Sequence, residues 1–288
     1  MERLTMKQMI IMESLREMKQ GNVADIAKKA NLSWSVVNNE MYKLWEKRYV
    51  KGVQKKNQSL IYGIDNSKKI ICGINVTDEN VVITFINLYF EIEDILIIKR
   101  KKNIYETIYE AINEASRYYI EKECMFNKFF VTTAEDVDLN NDLDAGIEII
   151  SPIDALLYAT KTIKKVKSVA YMNSTGVTFA TQVGNEKIIS QKSKINITNI
   201  TTLGANNLKD TEKILNLFMQ YLSFVGNDKL YLYSNKEVCS HTLSSMINQT
   251  MEKNIIWKDS IKIEENMKKD CNVILALGAA VWGYYNNI

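Results

Sequence analysis

The sequence is most informative first for what it has little of. Its 288 residues include one proline, Pro152, and one histidine, His241, so a histidine-rich metal site is excluded. The four cysteines (Cys72, Cys124, Cys239, Cys271) stand 52, 115 and 32 residues apart, without the short spacing of a zinc knuckle or a redox pair. They read as small buried hydrophobes in a reducing cytosol. The longest apolar run near the C-terminus, Val273 to Tyr285, spans 13 residues and suits a buried helix but not a bilayer span. The opening MERLTMKQ lacks a basic flank followed by an apolar core, so no secretory signal and a cytoplasmic protein are expected.

What is present is an ordinary globular composition, 46% hydrophobic and 25% charged, long enough for two domains. The abundance of lysine, asparagine, isoleucine and tyrosine points to an AT-rich bacterial genome. Charge is divided unevenly. Residues 1–65 hold 12 Lys+Arg and 7 Asp+Glu, a net of +5, against −2 for the remainder. A small basic head on a slightly acidic body is the asymmetry expected when one end meets a polyanion, although a lysine-rich solvated face gives the same count.

In the head, Met6, Met9, Ile10, Met12 and Leu15 form a helical stripe within residues 5–19, closed by Gly21. Asn22 caps a short helix whose apolar face is Val23, Ile26, Ala27 and Ala30. After the turn Asn31-Leu32, Ser33 caps a third helix reaching about Lys47. There Val37, Met41 and Leu44 face inward, while Trp34, Ser35, Asn38, Asn39 and Tyr42 face out. Tyr49–Val53 and Ser59–Ile64, joined by a polar turn 54–58, read as a hairpin. Helix, short helix, turn, helix and hairpin is the layout of a winged helix-turn-helix, whose recognition helix enters the major groove. The expected DNA-binding residues are Ser33, Trp34, Ser35, Asn38, Asn39 and Lys43, with Lys55 and Lys56 at the wing tip. Trp34 could stack on a sugar or cover the adjacent turn. The competing reading is a three-helix protein-binding domain whose asparagines merely solvate a helix.

From residue 70 the pattern alternates strands and helices. Strands are predicted at Ile70–Asn75, Val81–Asn87 and Ile95–Lys99, then a helix at Tyr105–Glu123 with Ile108, Ala111, Ile112, Ala115 and Tyr119 inward. Strands at Phe129–Val131 and Ile147–Ile150 precede a helix from Pro152. The order then recurs: strands at Ser168–Met172, Val177–Gln182 and Lys187–Ser190, a helix at Asp210–Val225, a strand at Leu230–Tyr233, a helix at Val238–Met251, a strand at Asn254–Trp257, and a helix from Cys271. The repeated order predicts an α/β body with the two-lobed, actin-like (ribonuclease-H-like) plan. The expected division is 1–66 for the winged head and 67–288 for the body, with lobes of about 67–165 plus 270–288, and 166–269.

Residue by residue, the head resembles the ROK family (repressors, open reading frames and sugar kinases) in DIAKKANLSWSVVNNEMYKLWEKRYV, Asp25 to Val50. The body resembles it at IICGINVTDENVVITFINL (70–88), IEIISPIDALLYATK (147–161), AYMNSTGVTFA (170–180), ILNLFMQYLSFVGNDKLYLYSN (214–235) and NVILALGAAVWGYY (272–285).

The resemblance implies a transcriptional regulator more than a kinase. Where the kinases carry D-x-G-G-T after the first strand, the matching residues are Asn75, Thr77, Asp78 and Glu79, with both glycines replaced and two acids where phosphate would sit. The second phosphate loop, G-T-G-x-G in the kinases, corresponds to Ser174-Thr175-Gly176-Val177-Thr178. The adenosine glycines correspond to Ser234 and Asn235. Asp154 matches the catalytic base of N-D-A-N, but Ile153 and Leu156 replace the asparagines. Asp154 is also the acidic third residue of a helix begun by Ser151 and Pro152, and that capping role, which needs no ligand, is the favoured reading. The E-x-G-H segment and the zinc loop have no counterpart between Gln191 and Lys209. The resulting expectation is a non-catalytic DNA-binding regulator, in its commoner mode a repressor, with no cofactor and no metal. Its partners are double-stranded operator DNA and a second copy of itself (homodimer or tetramer). Asn75, Asp154, Thr175 and Gly176 are what remains of a small sugar-like effector site. A sugar kinase with an added head, or a protein-interaction module, is the alternative.

Overall fold

The computed structural model describes residues 3–56, 59–67, 69–124, 128–133, 135, 146–164, 168–173, 176–183, 186–189, 216, 220, 229–234, 262–265 and 271–287. Helix α1 (Met6–Met18) opens on a reciprocal cap: the Gln8 N–H donates to the Thr5 hydroxyl at 3.3 Å, and the Thr5 N–H to the Gln8 side chain at 3.0 Å. A short strand β1 (Gln20–Gly21) leads to α2 (Val23–Ala30), capped by Asn22 and stopped at Asn31, where φ is 54°. Helix α3 (Trp34–Glu46) begins at Ser33, as expected. Strands β2 (Val50–Lys56) and β3 (Ser59–Ile64) form the hairpin, and β1 joins it in the antiparallel order β1-β3-β2.

Two details of the head differ from expectation. The inward stripe of α1 is Gln8, Ile11, Met12, Ser14 and Leu15, while Met6 is 73% exposed. Buried Ser14 satisfies its hydroxyl by donating to the Ile10 carbonyl at 2.9 Å, which lets a polar residue sit inside. Strand β2 also runs on through Gln54–Lys56, around a bulge between Gly52 and Gln54, where a turn was expected to begin.

The body contains two sheets of the same order. The first has β4 (Ile71–Val76), β5 (Asn80–Ile86), β6 (Ile92–Lys99), β7 (Phe129–Thr133) and β8 (Ile147–Ile150), arranged β6-β5-β4-β7-β8. The second has β9 (Ser168–Asn173), β10 (Gly176–Val183), β11 (Glu186–Ile189), β12 (Lys229–Ser234) and β13 (Lys262–Glu265), arranged β11-β10-β9-β12-β13. In each, three antiparallel strands are followed by two parallel ones. That is the duplicated α/β, actin-like plan read from the sequence.

Helix α4 (Ile104–Glu121) covers one face of the first sheet, burying Thr107, Ile108, Ala111, Ala115, Tyr118 and Tyr119 against Cys72, Ile74, Val81, Ile83 and Phe85; Ile112, expected inside, is only half-buried. Helices α5 (Pro152–Lys164) and α6 (Cys271–Asn287) lie on the other side. Their approach is close. A Cβ on Gly278 would fall 1.8 Å from the Ala155 carbonyl oxygen, and one on Gly73 1.9 Å from that of Ala276, so α6 rests backbone to backbone on α5 and on β4.

Strand β6 begins at Ile92 rather than Ile95, and β13, a charged KIEE segment, was not anticipated. The strand expected at 254–257, the helices expected at 210–225 and 238–251 (apart from residues 216 and 220, which are helical), Cys239 and His241 lie outside the described residues. Cys72 is buried, Cys124 and Cys271 half-buried, and none of the three is in a disulfide. Among the described residues no helix is long and apolar enough to cross a membrane, and no group of three or more His, Cys, Asp or Glu could hold a metal ion.

Candidate nucleic-acid interface

The outer face of α3 is set by the burial of its inner one. Val37, Met41 and Leu44 are at most 1% exposed and lock the helix onto α1 and α2. Trp34, Ser35, Asn38, Asn39, Tyr42 and Lys43 therefore point to solvent, Trp34 at 57% and Tyr42 at 58% exposed. Ser33 holds the start: its hydroxyl accepts from the Val36 N–H at 3.4 Å and lies 3.2 Å from the Ser35 hydroxyl. The cap thus fixes the turn from which the helix presents its side chains.

Two residues of this face are already engaged. The Lys43 ammonium meets the Glu40 carboxylate at 2.8 Å, and Gln8 on α1 donates to the other Glu40 oxygen at 2.8 Å. Burial works against the ionised form of Glu40, but the hydrogen bonds from Lys43 and Gln8 hold its carboxyl below the ordinary value. Lys43 is consequently tied back toward its own helix. Tyr42 lies 6.2 Å from Trp45, which is 53% exposed and extends the outer aromatic surface by one turn. Trp45 is not among the residues expected from the sequence, although its position three turns beyond Trp34 (34, 38, 42, 45) marks the same face. Lys55 and Lys56 lie on β2 at the wing end, paired with Leu60 and Ser59; their side chains are outside the described ones.

At the base of the wing is a cavity of about 420 Å³ lined by Trp45, Arg48, Lys51, Asp65 and Lys69 among others. Lys69 is 3% exposed, with its ammonium 3.5 Å from the Tyr49 ring centre. Burial lowers the Lys69 pKa to about 8, with Lys47 adding to the fall and Asp65 opposing it.

In the body, the C-terminal ends of the parallel strands β4, β7 and β8 share one edge of the sheet, the edge at which open α/β sheets receive ligands. Asn75 is there, 2% exposed, but its amide donates to the Asn272 side chain at 3.2 Å and so fastens β4 to α6. The β4–β5 turn is closed on itself: the Thr77 hydroxyl donates to the Asn80 carbonyl at 2.8 Å and accepts from the Asn80 N–H at 3.1 Å. The Thr77 carbonyl accepts from Arg100 at 3.0 Å, and the same guanidinium is forked with Glu135 and lies 3.7 Å from Asp78. The acidic charge expected at this turn is thus partly offset by Arg100, and what fills the turn is an internal ion pair.

Asp154 stands at the start of α5. The Ser151 hydroxyl donates to its Oδ2 at 2.8 Å and accepts from its N–H at 3.3 Å, a local helix-start arrangement. Gly176 opens β10 opposite Asn173; Thr175 and Asn235 lie outside the described residues, and Ser234 ends β12. The structure therefore places Ser33, Trp34, Ser35, Asn38, Asn39 and Lys43 on the exposed side of α3 and its cap, whereas Asn75 and Asp154 each serve a contact of the fold itself.

No family model and no curated sequence matches the chain. Solved structures do. A ROK family transcriptional regulator, described as a homolog of the E. coli MLC protein, superposes with a TM-score of 0.65 at 8% identity, over 96% of this chain and 97% of that one. A ROK hexokinase from Thermus thermophilus gives 0.52 at 10% identity, covering 74% of this chain and 97% of its own. An inorganic polyphosphate/ATP-glucomannokinase from Arthrobacter sp. strain KM gives 0.50 at 12%, covering 75% and 98%. The chain has the fold that these ROK proteins share.

Proposed function

We propose that this chain is a bacterial, cytoplasmic DNA-binding regulator of the ROK type, acting as a repressor, with a head at residues 1–66 and a non-catalytic body at 67–288. The observation that carries the reading is the outer face of α3. A basic head buries Val37, Met41 and Leu44 and leaves Ser35, Asn38 and Asn39 open at the start of a capped helix, where a recognition helix places its base contacts. The match over nearly the full length to a transcriptional regulator, head included, supports the same reading.

The body would pair two copies, presenting two heads to one duplex, and would hold a small sugar-like effector at the strand-end edge near Asn75 and Asp154. Phosphoryl transfer is not part of the proposal. Asp154 is bonded to Ser151, and the β4–β5 turn has its hydroxyl and carbonyl already committed. A sugar kinase with an added head remains the competing activity, since two of the similar folds are kinases.

Selection of bound fragments from a random DNA pool by purified full chain tests the reading. One enriched sequence is expected, bound with an affinity that falls steeply with salt as counterions are released. Enrichment of nothing, together with magnesium-ATP consumption on a hexose that Asp154→Asn abolishes, would replace the regulator by the kinase.

A further inference from the structure

Strand β6 is the outer strand of the first sheet, and among the described residues no strand pairs with its open side. Its even-numbered side chains Leu96 and Ile98 pack toward the α4 core, while Glu93, Ile95, Ile97 and Lys99 are exposed, Ile97 at 62%. Soluble proteins guard such edges with charges in mid-strand. On the exposed face the charges stand at the two ends with opposite sign, while Asp94 within the strand bonds the Ile95 N–H. Glu91 and Glu93 precede the isoleucines, and Lys99 and Lys101 follow them. A strand with an acidic start, an apolar middle and a basic end complements itself when turned antiparallel.

The backbone imposes a second condition. The Arg100 N–H donates to the Glu79 carbonyl at 3.1 Å, so in the alternating antiparallel ladder the even residues of β6 bond to β5. Odd residues then turn their N–H and C=O groups to the open side. Ile95 illustrates this, since its N–H meets the carboxylate of neighbouring Asp94 at 2.8 Å instead of a strand partner. Pairing with another copy must therefore set odd residues opposite odd residues.

We propose that two copies of the chain join β6 to β6 antiparallel about a two-fold axis at Leu96, making one continuous sheet across both subunits. This register sets Ile95 against Ile97 and Glu93 against Lys99, each pair occurring twice by symmetry. Shifting by one residue on each strand spoils it in either direction: Glu93 then faces Ile97, or Ile95 faces Lys99. Backbone parity and side-chain complementarity thus select the same register. Glu93 sits at the register irregularity between β5 and β6, and its carboxylate is steadied by the Asn87 amide at 2.6 Å. The inference deepens the paired regulator proposed above by naming the surface that pairs.

The test uses the full chain and analytical ultracentrifugation. Wild type is expected to dimerise. Lys99→Glu sets like charges opposite each other twice and should weaken the dimer about tenfold, and Glu93→Lys combined with Lys99→Glu should restore it. Leu96→Cys, on the axis, should form an intersubunit disulfide under mild oxidation that wild type does not, since directly opposed residues come within bridging distance. Circular dichroism checks that each variant folds. A wild-type dimer untouched by Lys99→Glu, with no Cys-dependent cross-link, would overturn the β6 surface and leave the proposed regulator standing. Failure of the regulator reading is seen separately, as absence of any selected DNA from a dimeric protein.

Discussion

Arg16, on the first helix of the head, lies over the ring of Tyr284, on the last helix of the body, at 4.3 Å. The same guanidinium is 4.0 Å from the Phe90 ring, and its Nε donates to the Leu88 carbonyl at 2.7 Å. Around this plug, Tyr285 donates to Glu13 at 3.0 Å and the Tyr89 hydroxyl to the Lys19 carbonyl at 3.0 Å. Head and body are therefore joined by α1 as well as by the polar link near Asp65. A cation between two aromatic faces and out of water is held more strongly than one on the surface. Any rearrangement at the C-terminal end of α6 would meet α1 directly.

Removing the plug should be costly. Arg16→Ala is expected to destabilise the chain by about 2 kcal/mol, losing both the cation–ring contacts and the carbonyl bond. Glu13→Ala, at the exposed rim, should cost under about 0.5 kcal/mol. Urea midpoints measure both, and equal effects would show that the cage carries no special weight.

The close approach of α6 gives a second expectation. Gly73→Ala and Gly278→Ala each force a methyl into a backbone carbonyl, and should destabilise by at least about 2 kcal/mol. Gly146→Ala is the control, because nothing lies within 4 Å of the added carbon. Thermal melts of the three variants should separate the first two from the third.

These relationships differ in how far residues alone reveal them. Helix α3 was legible because Ser33, a strong cap, precedes a stripe at 37, 41 and 44 with polar residues between. The repeat of strand order is legible because both halves open on three short apolar segments separated by polar turns. The phase of the α1 stripe is not legible at Met6, because MKQMIIM is apolar nearly all round and tertiary contacts set which side turns in. Those contacts bury Gln8, whose amide reaches Glu40 on α3. Strand β13 shows no alternation in KIEE, and pairing with β12 alone defines it. The Arg16 plug joins residues 72 positions apart and more, which no local pattern announces.

Lys69 supplies a pH signature. Burial lowers the pH at which its ammonium gives up its proton to about 8 in the folded chain, against about 10.4 when unfolded. Between these values the unfolded state holds the extra proton, so folding gains stability as pH rises from 8 toward 10. Below pH 8 both states are protonated and the burial penalty is constant. Relative to Lys69→Met, wild type should gain up to roughly 3 kcal/mol across this window. Buried phenols such as Tyr284, pushed up by burial and partly offset by Arg16, act alike in both proteins and cancel in the difference. A flat difference between the two denaturation curves would show that the ammonium stays charged beside Tyr49.

The reading surface proposed on α3 predicts two kinds of failure. Asn38 and Asn39 lie in the first two turns of α3, exposed and apart from the buried stripe, so their alanine variants should keep the fold by circular dichroism. If they meet base edges, Asn38→Ala or Asn39→Ala should cost about 1–3 kcal/mol on the selected operator and little on random DNA. Lys55 and Lys56, on the wing strand, are expected at phosphates. Replacing both with alanine should weaken operator and random DNA alike, and lower the salt slope by roughly one to two units as fewer counterions are released. Lys43 is held by Glu40, so Lys43→Ala should change operator affinity less than either asparagine variant. Fluorescence anisotropy on both DNAs across a salt series separates these outcomes. Asparagine variants that bind operator as tightly as wild type would move the reading surface away from α3.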